Sequence, residues 1–265
     1  MASKLKSTKE LMVFLGKSMI AFLESMIFII VPRPRKNVAG EIVLITGSGS
    51  GLGRFLALRF ARLGSVLVLW DINKEGNEDT CRMVREVGAT RVYAYTCDCS
   101  QKENIYRVAE QTYKSFLPAM IANKHGHLVC ISSLAGLTGV NKLADYCASK
   151  FAAFGFAESI CMETIAQKLK GIKTTIVCPC FIKTGMFEGC STAQPFLLPA
   201  LEPEYVADKI VDAILQEKTY LNLPKIISFL VFLKSILPVK VLVLLAEYMG
   251  ALNVMDGFVS KNKKN

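Results

Sequence analysis

Residues 41–53 read EIVLITGSGSGLG, and the fold turns on this stretch. Glu41–Thr46 is apolar and β-branched, which predicts a buried strand. Arg54–Leu63 follows with helical periodicity and stops at Gly64. Between them lies a glycine-rich turn. Gly47 permits the tight turn, Gly51 lets backbone approach a pyrophosphate, and Gly53 allows helix and strand to pack closely. The helix N-terminus then faces the phosphate charge. A glycine-rich stretch alone is as readily a flexible loop. Placed between a strand and a helix, it reads as a dinucleotide-binding turn. Thr46, Gly47, Ser50, Gly51, Leu52 and Gly53 are the candidate cofactor contacts.

Outward from the turn, β-type runs alternate with helical patterns, as parallel α/β units do. Val66–Trp70 and Arg91–Thr96 read as strands two and three, with a helix at Lys74–Val87 ended by Gly88. Leu128–Ser132 and Thr174–Cys178 read as later strands. Asp71 ends strand two, 24 residues after Gly47. A carboxylate there can receive both ribose hydroxyls and would repel a 2′-phosphate, favouring NAD over NADP. Its bland reading is a turn aspartate, and the spacing tips the balance toward cofactor contact. Asp98 ends strand three, where a carboxylate can meet an adenine amine, although this signal is weak alone.

Tyr146-Cys147-Ala148-Ser149-Lys150 sets a phenol and an ammonium one helical turn apart. A phenol is a poor base at neutral pH. A neighbouring ammonium favours its phenolate. Tyr-x3-Lys is common on ordinary helices and decides nothing by itself. Ser133 lies 13 residues upstream, at the end of a strand, where its hydroxyl can orient a substrate oxygen.

Taken together, TGSGSGLG, Asp71, Ser133 and Tyr146-x3-Lys150 resemble the short-chain dehydrogenase/reductase family over about residues 37–190. The conjunction is far more specific than any single motif. The resemblance implies a Rossmann fold holding a nicotinamide dinucleotide. Tyr146 would exchange the proton, Lys150 would bind the nicotinamide ribose and tune the phenol, and Ser133 would hold the substrate oxygen. Thr184, after Pro179, would contact the carboxamide, although Cys180 stands where the family usually has glycine. PRPRKNVAGEIVLITGSGSGLG, VLWDINKEGN, YTCDCSQKE and KLADYCASKFAAFGFAES resemble the membrane-associated epidermal retinol dehydrogenase and hydroxysteroid dehydrogenase subgroup. This implies hydride transfer between NAD and an apolar alcohol or ketone of retinoid or steroid type. It also implies residence at the endoplasmic reticulum membrane or lipid droplets, with a cytosolic catalytic domain. Homodimerisation through the tyrosine helix and its predecessor is a family habit, weakened here because the predecessor is altered.

A larger departure from the family lies between Asp98 and Ser133. Only 35 positions separate Asp98 from Ser133, and no Asn-Asn-Ala-Gly occurs. Ser100 and Glu103 form a capping box, and a single helical pattern runs from Gln101 to Asn123. Two helices look joined, with roughly 40 residues, about one βα unit and its connections, lost between Gln111 and Thr112. In the family order 3-2-1-4-5-6-7, losing strand four leaves strand one unpaired or draws the Leu128–Ser132 strand across by about 4.8 Å. Such a shift would carry Ser133, Tyr146 and Lys150 toward the pyrophosphate turn, and catalysis tolerates errors of about an ångström at most. Turnover is therefore expected to be greatly reduced or absent. The alternative function is a non-catalytic membrane or lipid-droplet protein with a vestigial nucleotide site.

The ends are apolar. Leu11–Val31 is long enough to span a bilayer, but Lys17, Ser18, Glu24 and Ser25 share one stripe. Such a helix can span, lie in the interface, or pack against a partner. A signal peptide is disfavoured by the length of the run and the lack of a small-residue cleavage site. Ile226–Leu245 is broken by Lys234, Pro238 and Lys240 into two pieces. These can dip into a membrane face or cover the core, and the sequence leaves both open.

Among 265 residues, 52% are hydrophobic and 20% charged, which argues against disorder. Mean hydropathy is +0.36. The net charge of +10 is spread along the chain without any nucleic-acid-binding motif, so a membrane surface is the preferred partner. Nine cysteines without metal-type spacing and only two histidines argue for free thiols and no metal. The expected architecture is α/β: a Rossmann-like doubly wound parallel sheet lacking one central strand. Residues 1–36 would form a membrane-associated helix and basic linker, 37–222 the catalytic domain, and 223–265 apolar helices and a basic tail.

Overall fold

The computed structural model describes residues 2–98, 116–187, 189–190 and 194–258. The capping box at Ser100 and Glu103, and the predicted helix as far as residue 115, lie outside these residues. The chain divides into two compact units, Met1–Lys36 and Asn37–Asn265.

The first unit carries helix α1, Ala2–Ile30. Within it, Lys9–Phe28 is long and apolar enough to cross a membrane, and none of that window is buried. The helix starts well before the apolar run, because Lys, Ser, Thr and Glu tolerate a helix readily once it is nucleated by the residues that follow.

In the second unit the strands and helices alternate as expected. Strand β1 (Ile42–Thr46) leads to α2 (Gly51–Arg62), β2 (Val66–Asp71), α3 (Lys74–Glu86) and β3 (Val92–Thr96). Positive φ at Gly64 and Gly88 ends α2 and α3. After a short helical segment at 116–122 come β4 (Gly126–Ile131), helix α4 (Ala144–Ala166) and β5 (Ile172–Pro179). Helix α5 (Pro203–Leu215), β6 (Tyr220–Leu223) and a hairpin of α6 (Ile226–Ile236) and α7 (Val239–Tyr248) complete it.

All observed strand pairings are parallel, but they form two sheets, β1-β2-β3 and β4-β5-β6. Among the described residues β1 and β4 make no ladder with each other. Of the two outcomes expected from a missing strand, the structure therefore takes the first: β1 stays unpaired and β4 has not moved across. Burial tells the same story. β5 is mostly buried and half of β2 is, whereas Ile42 of β1 is 73% exposed and no residue of β4 is fully buried. An edge strand buries less because one neighbour is absent.

Packing supplies the link that hydrogen bonds do not. One apolar cluster runs from Leu67 and Leu69 of β2 through Ala57 and Phe60 of α2 to Val206 and Ile210 of α5 and Val177 of β5. Arg59 of α2 pairs with Asp208 of α5, its second nitrogen 3.3 Å from Oδ2. His125, just before β4, lies 3.0 Å from the carboxylate of Glu41, just before β1. Both pairs are exposed enough to add little, so burial carries the junction.

Ile210 is fully buried within this junction. Ile210→Ala is expected to lower stability by about 2–5 kcal/mol, read as a fall in the urea midpoint.

Candidate functional site

The turn after β1 is held from three sides. Gly47 has φ +69° and Gly51 φ +50°, the left-handed region that glycine enters without strain. The Gly47 N–H donates to Trp70 O at 2.8 Å, pinning the turn to β2. A Cβ on Gly53 would sit 2.1 Å from Gly47 O, so the start of α2 packs directly on the turn backbone. A Cβ on Gly49 would meet Asp71 Cγ at 2.9 Å. The turn accordingly has no room for side chains on its α3 side, whereas nothing stands within 4 Å of a Cβ on Gly47.

Helix α3 supplies a polar clamp. Ser48 is fully buried and its hydroxyl donates to Asn77 Oδ1 at 2.8 Å. Asn77 Nδ2 donates to Leu69 O at 3.1 Å and Tyr95 O at 3.2 Å. Thr80 Oγ1 donates to Ser48 O at 2.9 Å and accepts from Arg54 Nε at 2.9 Å. Arg54 Nη2 donates to Gly76 O at 3.1 Å and also to Gly49 O. The sequence reading missed Ser48, Gly49, Arg54, Asn77 and Thr80. The available signal was in α3: Asn77 and Thr80 share the buried stripe of Cys81 and Val84, where apolar residues are expected.

Asp71 stands at the end of β2 beside this turn. Its Oδ2 accepts from Gly49 N–H and its Oδ1 from Asn73 N–H, each at 2.8 Å. Each carboxylate oxygen has a second lone pair, so ribose hydroxyls can still be received.

Across the cleft, β4 ends at Ile131, one residue earlier than predicted. Ser132 Oγ donates to Lys150 O at 2.8 Å, fastening the loop to α4. Ser133 caps the 3₁₀ turn Leu134–Gly136, its hydroxyl accepting from Ala135 N–H at 3.2 Å. Burial pushes the Tyr146 phenol above its usual pKa, against a hydrogen bond from Ser133 that lowers it. Burial likewise pushes the Lys150 ammonium down, with the Cys130 and Cys178 thiols beside it acting in the opposite sense. Lys150 Nζ donates to Ile131 O at 3.2 Å and lies 5.6 Å from the Tyr146 ring centre. Desolvation is thus the largest influence on the phenol, rather than the ammonium expected to favour phenolate. Phe187 meets the Tyr146 ring edge-on at 5.5 Å and Phe181 at 5.6 Å.

A single cavity of about 680 Å³ joins these parts. Gly47, Ser50, Gly51, Leu52, Gly53 and Asp71 line one side, and Ser133, Tyr146, Lys150 and Thr184 line the other. Thr184 comes close to the turn, its Cγ2 3.4 Å from where a Gly51 Cβ would stand. Thr46 and Asp98, expected as cofactor contacts, do not line the cavity. Thr46 ends β1 with its side chain exposed, and Asp98 follows β3, the outermost strand of its sheet. The remaining wall is mostly apolar, with Phe181, Leu198, Leu230, Leu245 and Met249 among its residues and Thr138, Asn141 and Lys234 as polar exceptions.

A glycine turn leading into a helix, a carboxylate after the second strand and a Ser–Tyr–Lys group around one cleft define a nicotinamide-dependent oxidoreductase. The family model described as short chain dehydrogenase matches residues 41–116 and 110–195, and the chain belongs to that family. The two matches meet where the sequence placed the missing segment. Epidermal retinol dehydrogenase 2 of Homo sapiens is 62% identical, covering 100% of both chains. That alignment spans 308 positions and this chain has 265 residues, leaving 43 positions without a counterpart here. Estradiol 17-beta-dehydrogenase 11 of Macaca fascicularis is 38% identical over 91% of this chain and 94% of that one. A crystal structure of a short chain dehydrogenase/reductase from Burkholderia phymatum in complex with NAD superposes with a TM-score of 0.62. It shares 22% identity over 76% of this chain and 94% of that one, a likeness of fold.

Two measurements follow from this geometry. Arg54→Ala releases the Gly49 carbonyl of the turn and the Gly76 carbonyl of α3 and is expected to raise the NAD dissociation constant about tenfold, roughly 1.4 kcal/mol, by calorimetry. Burial raises the thiol of Cys178 from 9.0 to about 12 and that of Cys180 from 9.0 to about 11. The folded chain keeps protons that the unfolded chain releases, so this stabilisation is complete below pH 9 and is lost as pH rises through 11 and 12. The urea midpoint should decline above pH 9, and less steeply in the Cys178→Ala/Cys180→Ala chain.

Proposed function

We propose that this chain binds NAD and acts as an oxidoreductase on an apolar alcohol or ketone of retinoid or steroid type, with turnover weakened by the missing segment. The observation that carries the reading is the one cavity shared by the glycine turn, Asp71 and the Ser133–Tyr146–Lys150 group. The turn fits a dinucleotide, being backbone-lined, open at Gly47 and set at a helix N-terminus. When bound, the nicotinamide supplies the hydride carrier. Asp71 receives the adenosine ribose hydroxyls, and its charge repels a 2′-phosphate. Ser133 holds the substrate oxygen, Tyr146 moves the proton at that oxygen, and Lys150 orients the nicotinamide ribose beside Thr184. The apolar wall suits a substrate with few polar groups, and the names of the relatives at 62% and 38% identity point to retinol and estradiol. Residues 1–36 hold the chain at the endoplasmic reticulum membrane or a lipid droplet, with the catalytic domain in the cytosol.

The interruption between β1 and β4 favours one second reading, a non-catalytic membrane protein that keeps its nucleotide site. The turn sits on one sheet and the tyrosine group on the other, so no strand ladder fixes their spacing. Hydride transfer needs that spacing held to well under an ångström.

Calorimetry with NAD and NADP, followed by a turnover assay with retinol, separates the readings. NAD binding with slow turnover supports the proposal, and binding without turnover selects the second reading. If NAD does not bind, both fail. Asp71→Ser is expected to narrow the preference for NAD over NADP at least tenfold, about 1.4 kcal/mol.

A further inference from the structure

Helices α6 and α7 are apolar on both sides. Inward, Ile227 is fully buried and Leu230, Leu242 and Leu245 line the cavity. Outward, Phe229, Phe232, Ile236, Val239 and Leu244 are each more than half exposed. A helix at a water-facing surface normally carries polar residues on its outer face. Exposed apolar side chains gathered on one pair of helices mark a docking surface. The sequence leaves open whether these helices enter a membrane or cover the core. The structure shows that their inner face covers the cavity, which leaves the outer face to be explained.

Charge identifies the occupant. From Lys218 to Tyr248, the end of α7, the chain carries Lys218, Lys225, Lys234 and Lys240 against a single acid, Glu247. Lys225 and Lys240 are exposed, one before α6 and one in the first turn of α7. Lys234 Nζ donates to Leu137 O at 2.7 Å and lines the cavity. Exposed Lys225 and Lys240 outnumber the one acid of the hairpin, Glu247 in the last turn of α7, and apolar side chains flanked by ammonium groups match an anionic lipid surface, where the stems lie in the acyl region and the amines reach the headgroups. Length sets the depth. The two helices have 11 and 10 residues, about 16 Å and 15 Å, against a hydrocarbon core of about 30 Å. They cannot span and can only lie along or dip into one leaflet.

We propose that the outer face of the α6–α7 hairpin docks the catalytic unit onto an anionic membrane surface. The same two helices then separate lipid from the cavity by a single layer, about 10 Å. Resting on the reading of the cavity as an apolar-substrate site, this makes the leaflet the reservoir from which the substrate arrives.

The test uses the full chain with Trp70→Phe and one new tryptophan, Phe232→Trp or Leu244→Trp, with Tyr93→Trp on β3 as control. Each is reconstituted in phosphatidylcholine vesicles with brominated or plain acyl chains, with and without phosphatidylserine. Bromolipid is expected to quench the tryptophans at 232 and 244 at least twofold more than the one at 93, and more strongly with phosphatidylserine. Equal emission in brominated and plain vesicles overturns the proposal. It does so whether acrylamide still reaches the tryptophan or a second copy shields it at high protein concentration. Hydrogen exchange of 226–248 in the unsubstituted chain is the second readout, slowing on vesicle addition if the proposal holds and unchanged if it does not. Calorimetry with NAD is independent of both, so a chain that binds NAD but shows no quenching sinks the docking alone.

Discussion

The packing of α2 against α5 is what makes one molecule of two sheets. In an unbroken parallel sheet, ladder hydrogen bonds would tie the glycine turn to the catalytic loop through the backbone. Here β1 and β4 share no ladder, and Ala57, Phe60, Val206 and Ile210 take over as a buried apolar seam. Apolar burial is strong but undirected. Hydrogen bonds across a sheet set register, whereas a side-chain seam sets only proximity. The chain can therefore keep its architecture while the relative position of its two halves is less tightly specified.

Each half is internally well built. On the cofactor side, Ser48, Asn77, Thr80 and Arg54 form a closed polar network around the turn, with each buried donor matched to an acceptor. Such a network rigidifies only if it is fully satisfied, and this one is. On the catalytic side, Ser132 fastens the loop to α4, and burial raises the pKa of the Tyr146 phenol and lowers that of the Lys150 ammonium. A neutral phenol is the proton-donating form, and a positive nicotinamide placed beside it would shift the balance back. The two machines face each other across one cavity, and the demand for sub-ångström geometry falls on the seam that joins them.

The apolar excess of the chain has a structural use. Part of it closes the cavity from the α6–α7 side, and the rest remains on the outside of the same helices and along α1. A soluble enzyme of this size would spend its apolar residues on the core. This one presents them outward at two places separated by nearly the whole sequence.

The family, the nucleotide turn, the order of strands and helices and the loss of a βα unit were all legible in the sequence, because each rests on local spacing. Gly47, Gly51 and Gly53, Asp71, Ser133 and Tyr146-x3-Lys150 need only their neighbours to be recognised. What the sequence left unsettled was non-local. It could not choose between an unpaired β1 and a shifted β4, because that choice depends on how helices and strands far apart in the chain pack together. It missed Ser48, Arg54, Asn77 and Thr80, whose polar atoms acquire meaning only when α3 folds against the turn. It placed Thr46 and Asp98 at the cofactor, and neither is among the residues that line the cavity. Local spacing determined which chemistry the chain carries. Tertiary packing alone decided how its parts meet, because only burial brings together groups that lie tens of residues apart.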